Sequence, residues 1–249
     1  MPYKLLLLDV DGTLVPVGPH TTPSEKVVRF LDKAKDKVAI SLVSGRPANW
    51  LTEIFDILDL TAPCIINGGA QIIDPITKGV IWEKAISERT LDKIIALAKA
   101  KDFSFLVNDG GIEYRDPVIT EFIKPIAIQV SYLGRDEIDE FLAELRSTSE
   151  VTAYPFPSWK EGLADIYITH KEAGKFHAVE KLAKLLNISK SQIIAVGDGA
   201  NDLPLFKASG LKIAMGNAAE NLKEAADYIA PSVQEDGVVN IIEKFVLNK

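Results

Sequence analysis

A run of four leucines at positions 5–8, which stops at Asp9, constrains the fold of this 249-residue chain more than any other feature. A short run that is apolar at every position is typical of a strand buried on both faces, as in a parallel sheet. Similar apolar runs occur at 38–43, 64–66 and 193–196. Because helical patterns separate these runs, the sequence predicts an α/β fold with a Rossmann-like, doubly wound parallel sheet.

The helices between the strands carry recognisable start signals. We expect the first helix to begin at Pro23, because the segment TPSE at 22–25 fits a capping box with proline at the first helical position. Pro47 opens a second helical pattern, and a third runs from Phe176 to Leu186.

The simple alternation is lost in the middle of the chain. Helical patterns near 88–101 and 136–146 are separated by strand-like runs, and the run at 126–132 alternates as an antiparallel strand covered on one face does. We therefore predict one α/β domain that is interrupted by an α+β insert. The predicted ranges are 1–74 and 169–249 for the α/β domain and 75–168 for the insert.

Composition limits the class of partner. The net charge of -7 and the pI of about 5.1 argue against a general nucleic-acid or membrane-surface binder. The apolar run before Asp9 is too short for a signal peptide or a membrane span, so a cytoplasmic protein is expected. Cys64 is the only cysteine, and its apolar flanks predict a small buried side chain. Monomer and homodimer both stay open.

Polar residues follow the predicted strands at the point where each strand ends. Asp9, Ser44, Asn67 and Asp198 all occupy such positions. In open parallel sheets, ligands bind outside the carboxyl ends of the strands. If the strands lie side by side, four segments deliver polar groups to one crevice.

The segment DVDGT at 9–13 is the most specific of these signals. Two carboxylates flank one apolar residue, and a glycine that permits a tight turn follows. An ordinary strand-to-turn junction uses the same residue types. A calcium-binding EF-hand loop does not fit, because that pattern needs glycine at its sixth position and glutamate at its twelfth, where this chain has His20.

A second acidic cluster, GDGAND at 197–202, is consistent with a turn that caps a helix through Asn201 or Asp202. Placed beside Asp9 and Asp11, its carboxylates would repel theirs. A hard divalent cation relieves this repulsion, and carboxylate and carbonyl oxygens are the ligands that Mg²⁺ prefers.

Two further segments suit an anion. The segment SGRP at 44–47 leads into a helix, so Ser44 and nearby backbone N–H groups either hold an anion or cap the helix. Lys175 lies at the start of a predicted helix, where a cation opposes the helix dipole unless an anionic partner offsets the cost.

Taken in order, DVDGT, Ser44 in LVSGRP, Lys175 in AGK and GDGAND resemble the four motifs of haloacid dehalogenase-superfamily phosphatases. The sequence looks most like the Cof-type branch, which carries a large α+β cap between the second and third motifs. NGG at 67–69 and IAMGNA at 213–218 also resemble that branch.

The resemblance implies a Mg²⁺-dependent phosphatase acting on a small phosphorylated metabolite, such as a sugar phosphate or a phosphoglycolate-like acid. Asp9 would attack phosphorus, and Asp11 would act as general acid and base. Asp9, Asp198 and the backbone carbonyl of Asp11 would bind the metal, with Asp202 supporting it indirectly.

The resemblance also implies a phosphate site. The expected contacts are Thr13, Ser44, Gly45, Arg46, Lys175 and Asn201. For Arg46, contact with the leaving group or a pair with an acidic neighbour is an alternative.

Other functions stay open from the sequence. A sugar phosphomutase uses the same aspartyl phosphate, a phospho-acceptor signalling domain clusters similar residues around magnesium, and a non-catalytic phosphosugar-binding module is a further alternative. Trp159, in a turn-rich part of the insert, is a candidate for contact with the leaving group.

Overall fold

The computed structural model describes residues 3–18, 20–118, 121–158 and 160–248, so Trp159 lies outside the described residues. The chain divides into two compact units, Met1–Trp82 with Lys175–Lys249, and Glu83–Gly174. Both divisions come later in the chain than the sequence pattern places them. The strand Val80–Glu83 pairs within the eight-stranded sheet of the first unit, and the strand Ala164–His170 lies in the five-stranded sheet of the second unit.

The first unit is built on an eight-stranded sheet. Its strands are β1 (Leu5–Asp9), β2 (Ala39–Val43), β3 (Cys64–Ile66), β4 (Gln71–Ile73), β5 (Val80–Glu83), β11 (Ile193–Gly197), β12 (Leu211–Ala214) and β13 (Tyr228–Ile229). The spatial order is β13-β12-β11-β1-β2-β3-β4-β5. The pairs from β13 to β3 are parallel, whereas β3 and β4 are antiparallel. This arrangement confirms the predicted α/β class.

Helices cover both faces of this sheet. They are α1 (Glu25–Ala34), α2 (Ala48–Leu58), α5 (Lys175–Leu185), α6 (Leu203–Lys207), α7 (Glu220–Glu224) and α8 (Gly237–Ile242). Leu6 and Leu8 pack in the same cluster as α1, α2 and α8, while Leu5 and Leu7 pack in the cluster that holds α5, α6 and α7. All four leucines are fully buried, which explains why the run is apolar at every position.

The start of α1 corrects one prediction. The helix begins at Glu25 and its N-cap is Ser24, whose hydroxyl accepts a hydrogen bond from the Val27 N–H. Pro23 therefore lies before the helix and not at its first position. The Ser24 hydroxyl also donates to Asp236 at 2.7 Å, a partner distant in sequence that favours serine over Thr22 as the cap.

The second unit is a five-stranded antiparallel sheet with two helices. Its elements are α3 (Glu88–Ala100), β6 (Ser104–Asp109), β7 (Ile112–Arg115), β8 (Pro125–Leu133), α4 (Arg135–Leu145), β9 (Val151–Pro157) and β10 (Ala164–His170). The spatial order is β7-β6-β8-β10-β9. The α+β character predicted for the insert is confirmed. Within the described ranges, no helix has the length and apolar character needed to cross a membrane.

Candidate active site

The predicted polar residues lie at one edge of the first unit's sheet. Asp9 is the last residue of β1 and stands opposite Val43, the last residue of β2, so Ser44 follows directly. On the other side of β1, Leu8 stands opposite Val196 of β11, and Asp198 follows two residues later. Because these strands are parallel, all three polar side chains emerge at the carboxyl edge.

Lys175 connects two of the carboxylates. Its ammonium Nζ lies 2.7 Å from Asp9 Oδ1 and 2.6 Å from Asp202 Oδ1, and its side chain is 4% exposed. Burial alone would lower the pKa of Lys175, but the carboxylates of Asp202 and Asp9 raise that pKa well above its ordinary value. The ammonium is therefore charged, and its unfavourable position at the start of α5 is offset by two anions.

Asp202 orients the loop that follows β11. Its Oδ2 accepts hydrogen bonds from the backbone N–H groups of Asp198 and Gly199, both at 3.1 Å, while Oδ1 contacts Lys175. The side chain is fully buried. Since both oxygens are engaged within the protein, Asp202 suits a role in positioning the neighbouring groups.

Burial and neighbouring negative charges affect the ionisation of Asp9 and Asp198. Burial, followed by the charge of Asp202, raises the pKa of Asp9 well above its usual range, although Lys175 opposes the shift. Burial, again followed by Asp202, raises the pKa of Asp198 to about 6. Carboxylate oxygens of Asp9, Asp198 and Asp202 lie within 4.8 Å of one another. Three carboxylates around a single ammonium favour a bound cation.

Two glycines permit this crowding. Gly12 has φ +77°, and a Cβ there would lie 2.1 Å from Asp198 Oδ2. A Cβ at Gly197 would lie 2.5 Å from Asp202 Oδ2. The glycines of both motifs are therefore required by the close approach of backbone to carboxylate, beyond their ability to form turns.

Asp11 does not join the carboxylate cluster through its side chain. Arg46 donates from Nε to Asp11 Oδ2 at 2.8 Å and from Nη2 to Asp11 Oδ1, which makes a bidentate pair. Nη2 also donates to the Gly18 carbonyl at 3.0 Å. Of the interactions considered for Arg46, the pair with an acidic neighbour is the one present in the structure.

Ser44 and Gly45 lie in the loop between β2 and α2. The Ser44 side chain is buried, and its Oγ accepts a hydrogen bond from the Arg46 N–H at 3.0 Å, so the hydroxyl proton is directed elsewhere. Gly45 is exposed, and a Cβ there would meet nothing within 4 Å. The backbone can therefore be approached closely at this point.

The remaining two predicted phosphate contacts, Thr13 and Asn201, differ in exposure, because Thr13 is buried and Asn201 is exposed. The Thr13 hydroxyl donates to Asp198 Oδ1 at 3.1 Å and is 1% exposed, so in this structure it orients a carboxylate. Asn201 is exposed. Its Oδ1 leaves no room for a side chain at Gly199, because a Cβ there would lie 2.3 Å from that oxygen.

Asn217 was not among the predicted site residues. Its Nδ2 donates to the Gly12 carbonyl at 2.8 Å, and its Oδ1 accepts from the Val233 N–H at 2.9 Å. The side chain thus ties the DVDGT turn to a segment near the end of the chain. The only signal for it was its place in the IAMGNA segment, which by itself specifies no contact.

Comparison with known proteins identifies the family. The family model for haloacid dehalogenase-like hydrolases matches residues 6–120 and 113–242. The chain is 28% identical to phosphoglycolate phosphatase 1 of Saccharolobus solfataricus, over 98% of this chain and 96% of the relative. It is 26% identical to the 5-amino-6-(5-phospho-D-ribitylamino)uracil phosphatase YcsE of Bacillus subtilis, over 98% and 96%.

A solved structure has the same fold. The phosphatase BT1666 of Bacteroides thetaiotaomicron superposes with a TM-score of 0.82 and 24% identity, covering 98% of this chain and 95% of that one. The predicted superfamily and enzyme class are confirmed by the family match and by relatives that are phosphatases. Since the family model matches most of its length, the chain belongs to the haloacid dehalogenase-like hydrolase family.

Proposed function

We propose that this protein is a Mg²⁺-dependent phosphomonoester hydrolase that transfers the phosphoryl group of a small metabolite to Asp9 and then to water. One observation carries the proposal. Asp9 is buried at the end of β1 with one oxygen held by the Lys175 ammonium, inside a cluster of three carboxylates. A structural role would not need several like charges so close together.

The donor set fits a magnesium ion. Among the described residues, Asp9 Oδ2 and Asp198 Oδ2 have no hydrogen-bond partner, whereas both oxygens of Asp202 do. We therefore propose Asp9 and Asp198 as side-chain ligands, with the backbone carbonyl of Asp11 beside them. When bound, Mg²⁺ reduces the repulsion between phosphoryl oxygens and the attacking carboxylate.

Asp9 supplies the nucleophile. In the first step its carboxylate oxygen forms a bond to phosphorus while the bond from phosphorus to the leaving oxygen breaks. Lys175 stabilises the ionised form of Asp9 and holds its Oδ1 in place, because an ammonium at 2.7 Å favours the anion. In the second step water attacks phosphorus, and the bond between phosphorus and Asp9 breaks.

Asp11 handles the protons. It donates a proton to the leaving oxygen in the first step and removes one from water in the second, which restores its starting state. The bidentate contact with Arg46 fixes the direction of the Asp11 carboxyl group. Arg46 is therefore proposed as the residue that positions the acid and base, as well as a phosphate contact.

The phosphate would be held by groups at the edge of the sheet. The Ser44 hydroxyl, the backbone at Gly45, Lys175 and Asn201 are the proposed donors. Thr13 would contribute through Asp198, the carboxylate that its hydroxyl contacts. Phosphoryl transfer depends mainly on positioning and charge stabilisation, which these residues supply.

The substrate class follows from the relatives. The names of the two curated relatives specify phosphoglycolate and a phosphorylated ribityl compound. We propose that this chain likewise acts on a small phosphomonoester, and that the second unit is the domain that selects it.

A screen of metabolite monophosphates tests the proposal. We expect inorganic phosphate to be released with Mg²⁺ and not with EDTA, without any need for a bisphosphate activator. The Asp9→Asn variant should lose this activity. Near-wild-type release by Asp9→Asn would disprove the nucleophile, and conversion of a sugar phosphate to its isomer without release would identify a mutase.

A further inference from the structure

The loop at 215–219, which follows β12, holds the backbone around one of the proposed metal ligands. The Met215 N–H donates to the Gly197 carbonyl at 3.0 Å, and the Ala219 N–H donates to the Asp198 carbonyl at 2.9 Å. Both contacts are to the first residues of GDGAND. The loop therefore fixes the backbone at Asp198 and at the residue before it.

Asn217 lies at the centre of this loop and reaches the other ligand segment. Its Nδ2 donates to the Gly12 carbonyl at 2.8 Å, and its Oδ1 accepts from the Val233 N–H at 2.9 Å. A carbonyl only accepts and an N–H only donates, so these two partners fix which end of the amide faces Gly12. Asn217 thus connects the loop at 215–219 to the DVDGT segment.

Gly12 is a residue whose backbone needs such a restraint. Glycine has no Cβ, so the peptide planes on either side of it turn at little cost, and here φ is +77°. The preceding plane is held because the Gly12 N–H donates to the Val15 carbonyl at 2.7 Å. In the following plane, the Thr13 N–H makes a long contact of 3.4 Å with the Val10 carbonyl. Asn217 supplies the shorter hydrogen bond to this second plane.

The backbone at Gly12 determines the geometry of the metal site. The plane before it carries the backbone carbonyl of Asp11, a proposed Mg²⁺ ligand, whose direction turns with that plane. A Cβ at Gly12 would lie 2.1 Å from Asp198 Oδ2, so the carboxylate of a second proposed ligand packs directly against the glycine. A change in the backbone at Gly12 would therefore disturb two ligands together.

We propose that Asn217 is a positioning residue of the metal site, which holds the Gly12 carbonyl so that the Asp11 carbonyl and the Asp198 carboxylate are set for Mg²⁺ before the ion binds. The inference rests on the proposed function, because that proposal names the ligands. Ligands that are already ordered bind more tightly, since less conformational freedom is lost on binding. Removal of a group that orients metal ligands costs about 10- to 100-fold in metal affinity.

Asn217→Asp is the variant that tests this inference most sharply. Aspartate has the same shape and keeps an oxygen for the Val233 N–H, but it places a second oxygen against the Gly12 carbonyl in place of a donor. We expect the Kd for Mg²⁺, measured by calorimetry on the metal-free protein, to rise about tenfold. The added negative charge alone would attract the cation and lower the Kd. An unchanged or lower Kd would overturn the inference.

Asn221→Asp is the matched control for the change in charge. It makes the same substitution at an exposed position of α7, and it should bind Mg²⁺ as the wild type does. Thermal unfolding in EDTA separates positioning from a merely structural role. If Asn217→Asp lowers the melting temperature in EDTA but leaves the Mg²⁺ Kd unchanged, Asn217 serves the fold and not the metal site, and the inference is wrong.

Val233→Pro separates the two hydrogen bonds of the Asn217 amide. Val233 is the first residue of a 3₁₀ helix and Ser232 before it is extended, so proline fits there and removes the N–H. We expect the Mg²⁺ Kd to stay close to that of the wild type, because the contact with Gly12 remains. A rise in Kd equal to that of Asn217→Asp would assign the effect to the contact with Val233 and would overturn the inference.

The inference and the proposed function fail in distinguishable ways. If the wild type binds Mg²⁺, Asp198→Asn does not, and Asn217→Asp binds it as the wild type does, only the role of Asn217 is wrong. If the wild type binds no Mg²⁺, or if Asp198→Asn binds it as tightly as the wild type, the proposed metal site is wrong and the inference falls with it.

Discussion

The guanidinium of Arg46 binds the carboxylate of Asp11 through two hydrogen bonds, one to each oxygen. The two residues are 35 positions apart in the chain and come from the ends of neighbouring strands. The Arg46 side chain is 10% exposed and that of Asp11 is 37% exposed, so the pair lies at the edge of solvent. A planar fork of this kind fixes the direction of a carboxylate as well as its charge.

Replacement of Arg46 should therefore impair the acid and base chemistry. We expect Arg46→Lys to lower kcat nearly as much as Arg46→Ala, by about a hundredfold, because lysine keeps the charge but cannot make the bidentate contact. The measurement is kcat for phosphate release at saturating substrate and Mg²⁺. Arg29→Ala, an exposed arginine of α1, is the control and should match the wild type. Full activity in Arg46→Lys would show that the fork has no positioning role.

Lys175 should matter for stability as well as for activity. Lys175→Met removes the ammonium between two buried carboxylates, and loss of one partner of a buried pair costs about 3–5 kcal/mol. Urea unfolding in EDTA should show this loss in the free energy of unfolding. Saturating Mg²⁺ should recover part of it, because the cation compensates the same carboxylates. Lys181→Met, at an exposed position of the same helix, should leave stability unchanged. An equally stable Lys175→Met protein would contradict the buried charge network.

Gly12→Ala should damage the site without unfolding the protein. The new Cβ would overlap Asp198 Oδ2, so that carboxylate must move. We expect weaker Mg²⁺ binding by calorimetry and a large loss of kcat. Gly162→Ala is the control that separates the steric overlap from the backbone strain. Gly162 also has a positive φ, of +78°, but a Cβ there meets nothing within 4 Å. It should cost only the backbone strain, about 1 kcal/mol, with Mg²⁺ affinity intact. Equal Mg²⁺ affinity in Gly12→Ala and the wild type would refute the steric argument.

The ionised carboxylate of Glu150 should stabilise the second unit at neutral pH, and this stabilisation should be lost in acid. Its carboxylate accepts hydrogen bonds from the Ser87 N–H at 2.8 Å, the Ser87 hydroxyl and the Thr90 hydroxyl, at the start of α3. Burial opposes ionisation, but these hydrogen bonds outweigh it and lower the pKa of Glu150 from 4.5. A carboxyl whose pKa is lower in the folded state stabilises the fold above its unfolded pKa. The contribution is lost as the pH falls through the folded value.

Glu150→Gln should therefore be less stable than the wild type at pH 7 by about 0.3–1 kcal/mol, because a neutral amide replaces a carboxylate near the N-terminus of α3. The difference should shrink as the pH falls below about 4, because the wild-type carboxyl is then protonated too. Urea unfolding at both pH values gives the comparison. A difference that stays constant with pH would mean that the charge of Glu150 plays no part.

The strands and the acidic motifs could be predicted because their causes are local. A strand buried on both faces must be apolar throughout, so the leucine run alone indicates β1. Asp9 and Asp11 flank one residue, and their spacing is visible in the sequence. The start of α1 was misplaced because Thr22 and Ser24 are both suitable caps, and the choice depends on Asp236, far away in sequence.

The connections within the site could not be predicted, because they join residues that only the fold brings together. The sequence left several interactions open for Arg46, and nothing in it paired Lys175 with Asp202. The role of Gly12 as a space for Asp198 is likewise a property of two loops packed against each other. Asn217 went unassigned because its partners are backbone atoms, which have no signature in a sequence.

The central claim is that Asp9 carries the phosphoryl group between the two steps. A rapid acid quench of the enzyme with Mg²⁺ and ³²P-labelled substrate, followed by peptide mapping, tests it most directly. We expect the label on the peptide that contains Asp9, at a level that rises and then falls as phosphate is released, and no label on any peptide of Asp9→Asn. Rapid phosphate release by the wild type with the label on another residue, or on none, would contradict the account.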